Sequence, residues 1–588
     1  MRVVGYVLLA ALGVLVLLLL AAVIRTLCMK KKTSDYTPHP DAAREREYAE
    51  KLSRMVAYET VSHPDDPELE KFRGFHKLLA ELYPTVHEKL EKTEIDGNLL
   101  FFWEGKNHDR PLVLMSHQDV VPAEGTWEHA PFSGDIADGK VWGRGASDTK
   151  CSVMGFFQAC EELLREGYVP EQDVYLSSSC TEEFAGPGGG KLVDELRRRG
   201  VKPFLVCDEG GGIISEPIGG IHGNFAMLGV FEKGKADVRF TARSNGGHAS
   251  APPKNSPVAR LAAFVDSMEK HPPFRKKFEP EVSAMFARLA AYAPFALRLL
   301  FGNLWLFAPL MKLVMPALSP QAGAMLRTTA AFTMLSGSDA CNVLPQEASV
   351  WANLRFIPHQ GMDESLALIK KRAEKYGIET DVLSASDYSA PADIHGEAWR
   401  RVTDTIAEVF PGLAWSPYVM TGATDAKNYQ AICDNCIRFA PVIYGPEQMR
   451  GMHGVNENIE TACLPGAVDF YKAPGARQSE DLQRQVALVF PRDRREECAG
   501  LSGKGEGDVL PGGGKPAGRD AAADLYRPER TGYPQGAPPA VTGGGHQLRY
   551  REAVSGGARD PCDSYRLLHR KETSLPDGAV QERSVCWL

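Results

Sequence analysis

The stretch Pro111-Leu112-Val113-Leu114-Met115-Ser116-His117-Gln118-Asp119 decides the fold. It is an apolar run of strand length that stops abruptly on a histidine and an aspartate. Similar runs stand on either side of it, at Leu99–Trp103, Val174–Ser178 and Phe204–Cys207. Helical patterns alternate with them, at Ser152–Glu166 and Lys191–Gly200. Strands alternating with helices predict an α/β domain, starting near Ala43, with a mostly parallel sheet and helices on both faces. In such a sheet ligands collect where the strands end at their carboxyl side. His117 stands at such an end.

The pattern changes near Met227. Lys235–Ala242 and Ala348–Phe356 alternate as half-exposed strands, Ser256–Lys270 and Asp363–Tyr376 read as helices, and Glu379–Leu383 can close a β-α-β-β-α-β unit. The segment Ala291–Leu318 is rich in Phe, Leu, Trp and Met. Pro294, Arg298, Pro309, Lys312 and Pro316 interrupt it, which favours apolar helices covering the site over a second membrane span. The α/β pattern resumes at about Ser389 and runs to about Tyr471. From Pro474 Gly, Pro, Arg and acidic residues dominate without periodicity, the composition of a disordered tail. The expected organisation is catalytic segments at 43–226 and 389–473, an inserted α+β lid or dimerisation domain at 227–388, and a tail at 474–588.

The start of the chain departs from ordinary globular composition. Val3–Ile24 carries no charge and is mostly Leu, Val and Ala, long enough to cross a bilayer as a helix. No clear small-residue cleavage motif follows, so a retained anchor is expected, joined to the body by a polar linker at 25–42. Arg25, Lys30, Lys31 and Lys32 follow the span and only Arg2 precedes it, which favours a cytoplasmic body. A net charge of −8, with no basic stripe, argues against nucleic-acid binding. The 12 cysteines show no disulfide framework. Cys151, Cys160, Cys180, Cys207 and Cys341 lie in or beside apolar segments, and the lone Cys433-x-x-Cys436 pair lacks the second pair of a zinc ribbon.

Five turns carry chemistry. His117 ends its strand; Asp148 sits in Gly143-Arg144-Gly145-Ala146-Ser147-Asp148 just before a helix; Glu182 and Glu183 follow the strand ending near Cys180; Asp208 follows Phe204–Cys207; and His453 lies in Gly451-Met452-His453-Gly454. Alone, each is more often a solvated or capping group. Together, at strand ends of one sheet, they make a shared metal site the simplest account, because His and carboxylate are zinc ligands.

His117-Gln118-Asp119-Val120-Val121-Pro122 resembles the first metal motif of a dinuclear zinc peptidase family that includes aminoacylase, succinyl-diaminopimelate desuccinylase, bacterial glutamate carboxypeptidase and vacuolar carboxypeptidase S. Gly143 to Lys150, Thr181-Glu182-Glu183, Asp208-Glu209-Gly210-Gly211 and Met452-His453-Gly454 resemble its later motifs, in order, over about residues 45–472. The nearest likeness is to the branch of carboxypeptidase S and the N-acyl amino-acid hydrolases. The resemblance implies two zinc ions per chain. Asp148 would bridge them, His117 and Asp208 would complete one site, and Glu183 and His453 the other. It implies that Glu182 is the general base, that Asp119 orients His117, and that a cis peptide follows Asp148. Ser116 and Cys151 depart from the family pattern without removing a ligand.

On the substrate side, Arg355 near the end of Ala348–Phe356 can hold a carboxylate bidentately. Asn342-Val343-Leu344-Pro345 and Asn353-Leu354-Arg355 resemble the family's carboxylate-binding elements. Gly422-Ala423-Thr424-Asp425-Ala426-Lys427 resembles a loop near its active site, with Lys427 in place of Arg, and marks Gly422 and Thr424 as substrate-binding candidates. His248, in a Gly-rich turn, would stabilise the oxyanion, from the partner subunit in dimeric members. The expected activity is hydrolysis of an amide next to a free carboxylate, in small peptides or N-acyl amino acids. A membrane-tethered binding protein on a decayed enzyme fold is the alternative, and the presence of every ligand counts against it.

Overall fold

In the computed structural model, residues 2–64 and 69–473 are described; the tail expected from residue 474 lies outside them. The segment around Leu114 is the strand Asn107–Met115, and its side chains alternate between two cores. Leu112 and Leu114 enter the larger core, while Val113 and Met115 enter a second one with Leu192, Leu196 and Tyr429. The apolar run therefore lacks alternation because both faces are covered. Burying each of these side chains contributes about 1.5–3 kcal/mol.

The strand belongs to an eight-stranded sheet. Its order is Glu91–Ile95, Asn98–Trp103, Gln172–Ser178, Asn107–Met115, Leu205–Ser215, Cys436–Tyr444, Asn224–Glu232 and Ala414–Met420. The four central strands run parallel. Antiparallel pairs flank them, between Asn98–Trp103 and Gln172–Ser178 on one side and between Asn224–Glu232 and Leu205–Ser215 on the other, so the sheet is mixed. Ala42–Val56, Lys150–Arg165 and Leu464–Lys472 pack on the larger core, and Gly188–Arg198 on the other face. Ala42–Val56 starts where the Asp41 side chain accepts the Arg44 N–H, and it buries Tyr48, Leu52, Met55 and Val56 at helical spacing.

The middle of the chain forms a second sheet, antiparallel throughout, in the order Thr329–Ser336, Glu347–Phe356, Gly234–Arg243 and Glu379–Ser386. Pro257–Lys270 and Met362–Glu374 supply Phe264 and Ile369 to a separate core with Val238, Phe240, Val350 and Leu354. The element order is β-α-β-β-α-β, with Thr329–Ser336 as the strand the sequence reading left unassigned.

Arg2–Cys28 is one helix, exposed along nearly all its length. Ala291–Leu318 holds the helices Phe295–Phe301 and Leu304–Leu318, which differ in direction by 104°. None of their residues lines the cavity beside Asp148, and Phe295–Phe301 packs against the first helix. Among the described residues every cysteine is free, and Cys341 is exposed rather than packed in an apolar segment.

Candidate metal centre

Four of the expected ligands converge. His117 Nε2 lies 3.2 Å from Asp148 Oδ1, and the other oxygen of Asp148 lies 3.1 Å from His453 Nε2. Glu183 Oε2 lies 3.0 Å from that same histidine nitrogen. Ligand atoms of His117, Asp148 and Glu183 all fall within 4.8 Å of one another. Asp148 thus stands between the two histidines with one oxygen toward each. His453 has φ 54°, a conformation uncommon for residues other than glycine, which turns its ring back over the cluster from an exposed loop.

Asp119 organises the turns beneath. The Nδ1 of His117 is 2.9 Å from the Asp119 backbone carbonyl and can donate to it, leaving Nε2 to face the cluster. The Asp119 carboxylate is 3.5 Å from that nitrogen. Its main partners are elsewhere: it accepts the backbone N–H groups of Glu182 and Glu183 at 3.2 Å each, and the Ser62 hydroxyl at 2.6 Å. Asp119 therefore ties the histidine turn to the glutamate turn.

Asp148 is held by a residue the sequence reading missed. Glu457, fully buried, accepts the N–H groups of Ser147 and Asp148 at 2.9 Å each through one oxygen. Its other oxygen accepts Arg144 Nη1 at 2.7 Å, and Arg144 also donates to the Gly454 carbonyl. The Asp148–Thr149 peptide is cis. One buried ion pair thus joins the Asp148 loop to the loop carrying His453. The signal for it was an acidic residue four positions after His453, which no spacing rule singles out.

Glu182 stays off the cluster. Its nearest oxygen is 3.9 Å from His117 Nε2, and burial pushes its pKa well above the usual carboxylate range. Asp208 does not reach the ligands as expected. One of its oxygens accepts the Glu209 N–H at 2.8 Å and the other the Ala426 N–H at 2.9 Å. Glu209 lines the cavity with Asp148 instead. Residues that neighbour each other in a strand point to opposite sides, so only one of this acidic pair can face the cluster. After Glu209 the chain needs glycine: a Cβ on Gly211 would sit 2.3 Å from the Arg438 carbonyl oxygen and 2.4 Å from that of Met227.

The electrostatics fit a divalent cation. Burial raises Glu183 and Glu209, with neighbouring carboxylate charge adding to the effect, while hydrogen bonds that its ring donates to the Asp148 and Glu183 carboxylates push His453 up to about 10. Burial opposes ionisation of Asp148, yet hydrogen bonds from His117 and His453 outweigh it and hold the pKa below the carboxylate range. Raised acids beside raised histidines signify surplus negative charge in a low-dielectric setting, which a cation reverses. Glu183 Oε1 is buried and has no hydrogen-bond partner. An unpartnered buried carboxylate oxygen beside two histidines is of the chemistry that ligates a divalent cation.

The remaining candidates divide. Thr424 is buried and donates to Glu232, which in turn pairs with Arg438, so it props the loop from below rather than facing substrate. Gly422 has open space around it. Arg355 is half-buried, donates to Asn353 and sits opposite Lys235, where the second sheet joins the first. His248 and Asn342 are neighbours: Ala249 N–H donates to the Asn342 carbonyl, and His248 pairs across from Val343. They lie beyond Arg243, at the other end of the ten-residue strand that starts beside Arg355. At about 3.3 Å per residue that places them about 30 Å away. Beside Asp148 and Glu209 a cavity of about 110 Å³ is walled by Ile214, Met227, Tyr418, Met449 and Met452.

Comparison with known proteins places this geometry. Residues 113–473 match peptidase family M20/M25/M40. The N-fatty-acyl-amino acid synthase/hydrolase PM20D1 of Xenopus tropicalis is 32% identical over 486 residues, 80% of this chain and 94% of that one. A probable carboxypeptidase S-like 2 of Dictyostelium discoideum is 30% identical over 437 residues, 72% of this chain and 84% of that one. Among solved structures, the M20 family metallo-carboxypeptidase Sso-CP2 of Sulfolobus solfataricus shares the fold at TM-score 0.56 and 18% identity, over 73% of this chain and 98% of that one.

Proposed function

The chain belongs to peptidase family M20/M25/M40 and is an amide-bond hydrolase; on that premise we propose that it cleaves N-acyl amino acids, or small peptides, beside a free carboxylate. The observation that carries this is the facing pair of histidines and carboxylates around Asp148, with Glu182 buried next to them and bonded to none of them. His117, Asp148, Glu183, Glu209 and His453 would hold two zinc ions, with Asp148 shared and Glu209 in the place the sequence reading gave to Asp208. When bound, the ions supply Lewis-acid polarisation of a carbonyl and of a water.

The chain's own groups do the rest. Glu182, its pKa raised by burial, takes a proton from the attacking water and delivers it to the leaving amine nitrogen. Asp119 fixes the Glu182 and Glu183 backbones and so sets the carboxylate positions. Arg355 binds the free carboxylate of the substrate. The Met- and Tyr-walled cavity takes an apolar acyl or side-chain group, which favours acyl amino acids. The reading includes catalytic segments at 43–226 and 389–473 and a lid at 227–388 that also mediates a homodimer. His248 and Asn342 then serve the site of a second copy, where His248 stabilises the oxyanion. Val3–Ile24 crosses a membrane once, with the body on the cytoplasmic side.

The test is a substrate panel with the zinc-loaded protein. N-acyl amino acids of increasing chain length, dipeptides and the matching C-terminal amides are compared by kcat/KM. Long-chain acyl amino acids should lead and the amides should fail; equal rates on acids and amides would overturn the assignment.

A further inference from the structure

Apart from the metal centre, the least explained feature is the helix pair Phe295–Phe301 and Leu304–Leu318. It is firmly built on one side: Phe301, Met311 and Met315 are buried in the main core. The other side presents Phe295, Trp305, Leu310, Leu313 and Val314 to the outside, with Leu313 70% and Trp305 52% exposed. Four of these five lie on the one helix Leu304–Leu318, and exposed large apolar side chains concentrated on one element mark an interaction surface.

What covers it is indicated by its neighbour. Asn303, fully buried between the pair, donates from Nδ2 to the Ala22 carbonyl and to Thr26 Oγ1 at 3.3 and 3.0 Å. Arg298 donates to the Met29 carbonyl at 3.2 Å, and the Lys32 N–H to the Ala291 carbonyl at 2.9 Å. The apolar face is therefore fixed level with the last two turns of Arg2–Cys28, whose apolar length is almost unburied. Exposed Arg25, Lys30, Lys31 and Lys32 stand at the same level, a charge that suits anionic phospholipid headgroups. The pair is too short and too bent to cross a bilayer itself. Leu304–Leu318 has 15 residues, about 22 Å of helix against about 30 Å of hydrocarbon, contains Pro309 and Pro316, and turns 104° from its partner. Trp305 is of the type that settles at the headgroup boundary.

We propose that the exposed face of Phe295–Leu318 inserts into the headgroup–acyl boundary of the bilayer that carries the N-terminal helix, and holds the catalytic body flat against that membrane. This rests on the reading of Val3–Ile24 as a membrane span. The experiment uses the full chain reconstituted in phosphatidylcholine–phosphatidylserine vesicles. Two phosphatidylcholine probes carry a photoactivatable diazirine, one near the headgroup and one at the acyl terminus, and labelled tryptic peptides are identified by mass spectrometry.

The headgroup-proximal probe should label peptides 299–312 and 313–327 as well as the N-terminal peptide. The terminal probe should label only the N-terminal peptide. Replacing Leu313→Glu together with Val314→Glu, both at the surface, should abolish labelling of 299–327 and leave the N-terminal labelling intact. Lipid label confined to the N-terminal helix would overturn the proposal and mean that a protein surface covers the patch. Terminal-probe label within 304–318 would overturn it in favour of deep re-entry. Protein recovered free of vesicles with no label at all would remove the membrane span first, and so distinguishes failure of that reading from failure of this one.

Discussion

Glu182 and Glu183 adjoin in sequence and divide the labour. Glu182→Gln keeps size and shape but cannot take a proton, so turnover should fall about 100- to 10,000-fold with zinc content unchanged; near-wild-type turnover would exclude it as the base. The pair Asp208 and Glu209 tests the ligand assignment in the same way. Glu209→Gln should lower zinc stoichiometry, whereas Asp208→Asn should leave metal content near that of the wild type, since its oxygens are occupied by the Glu209 and Ala426 amides. Metal analysis of the two proteins decides between them. The sequence pattern placed both acids at a strand end, whereas the strand runs on to Ser215; which acid faces inward depends on how it bulges between Asp208 and Gly212. His117, Asp148, Glu183 and His453 were legible because each sits on its own turn. Glu457 was not, because a buried acid that accepts backbone N–H groups looks like any acid in a polar loop.

At the level of elements, the loop Gly143–Asp148 and the loop around His453 are joined by Arg144 and Glu457, both almost fully buried. Glu457→Ala leaves a buried guanidinium unpaired and two amides without acceptors. Destabilisation of about 3–5 kcal/mol is expected in denaturant unfolding, together with weaker zinc retention; a stability change under about 1 kcal/mol would show that the loops hold without it. Arg355, near the junction of the sheets, should matter for substrate and not for fold. Arg355→Ala should raise KM strongly for acids, a loss of about 2–4 kcal/mol for a charge-assisted bidentate contact, and hardly change the already poor amides. Equal loss on both would assign it another task. The α/β alternation read directly from sequence because each central strand is apolar on both faces. Thr329–Ser336 escaped notice because it is an edge strand with mostly exposed or half-exposed side chains and follows closely on apolar helices.

For the whole molecule, Arg355 and the His248–Asn342 tip lie at opposite ends of one strand, too far apart to meet over one site without large rearrangement. If each site draws His248 from a second copy, mixing inactive Glu182→Gln chains with inactive His248→Ala chains should restore activity. Random pairing makes half the dimers mixed, each with one complete site, so recovery should reach about a quarter of wild type. No recovery from a mixture shown to exchange subunits would mean that each chain completes its own site. The union of Arg144 and Glu457 has another consequence, which concerns synthesis. The ribosome delivers His117, Asp148, Glu183 and Glu209 more than two hundred residues before His453 and Glu457 emerge. Until then the Asp148 loop has no acceptor for its amides and no second histidine. A nascent or prematurely terminated chain therefore carries most of the acids but not the finished cradle, which is complete only once Glu457 has been delivered.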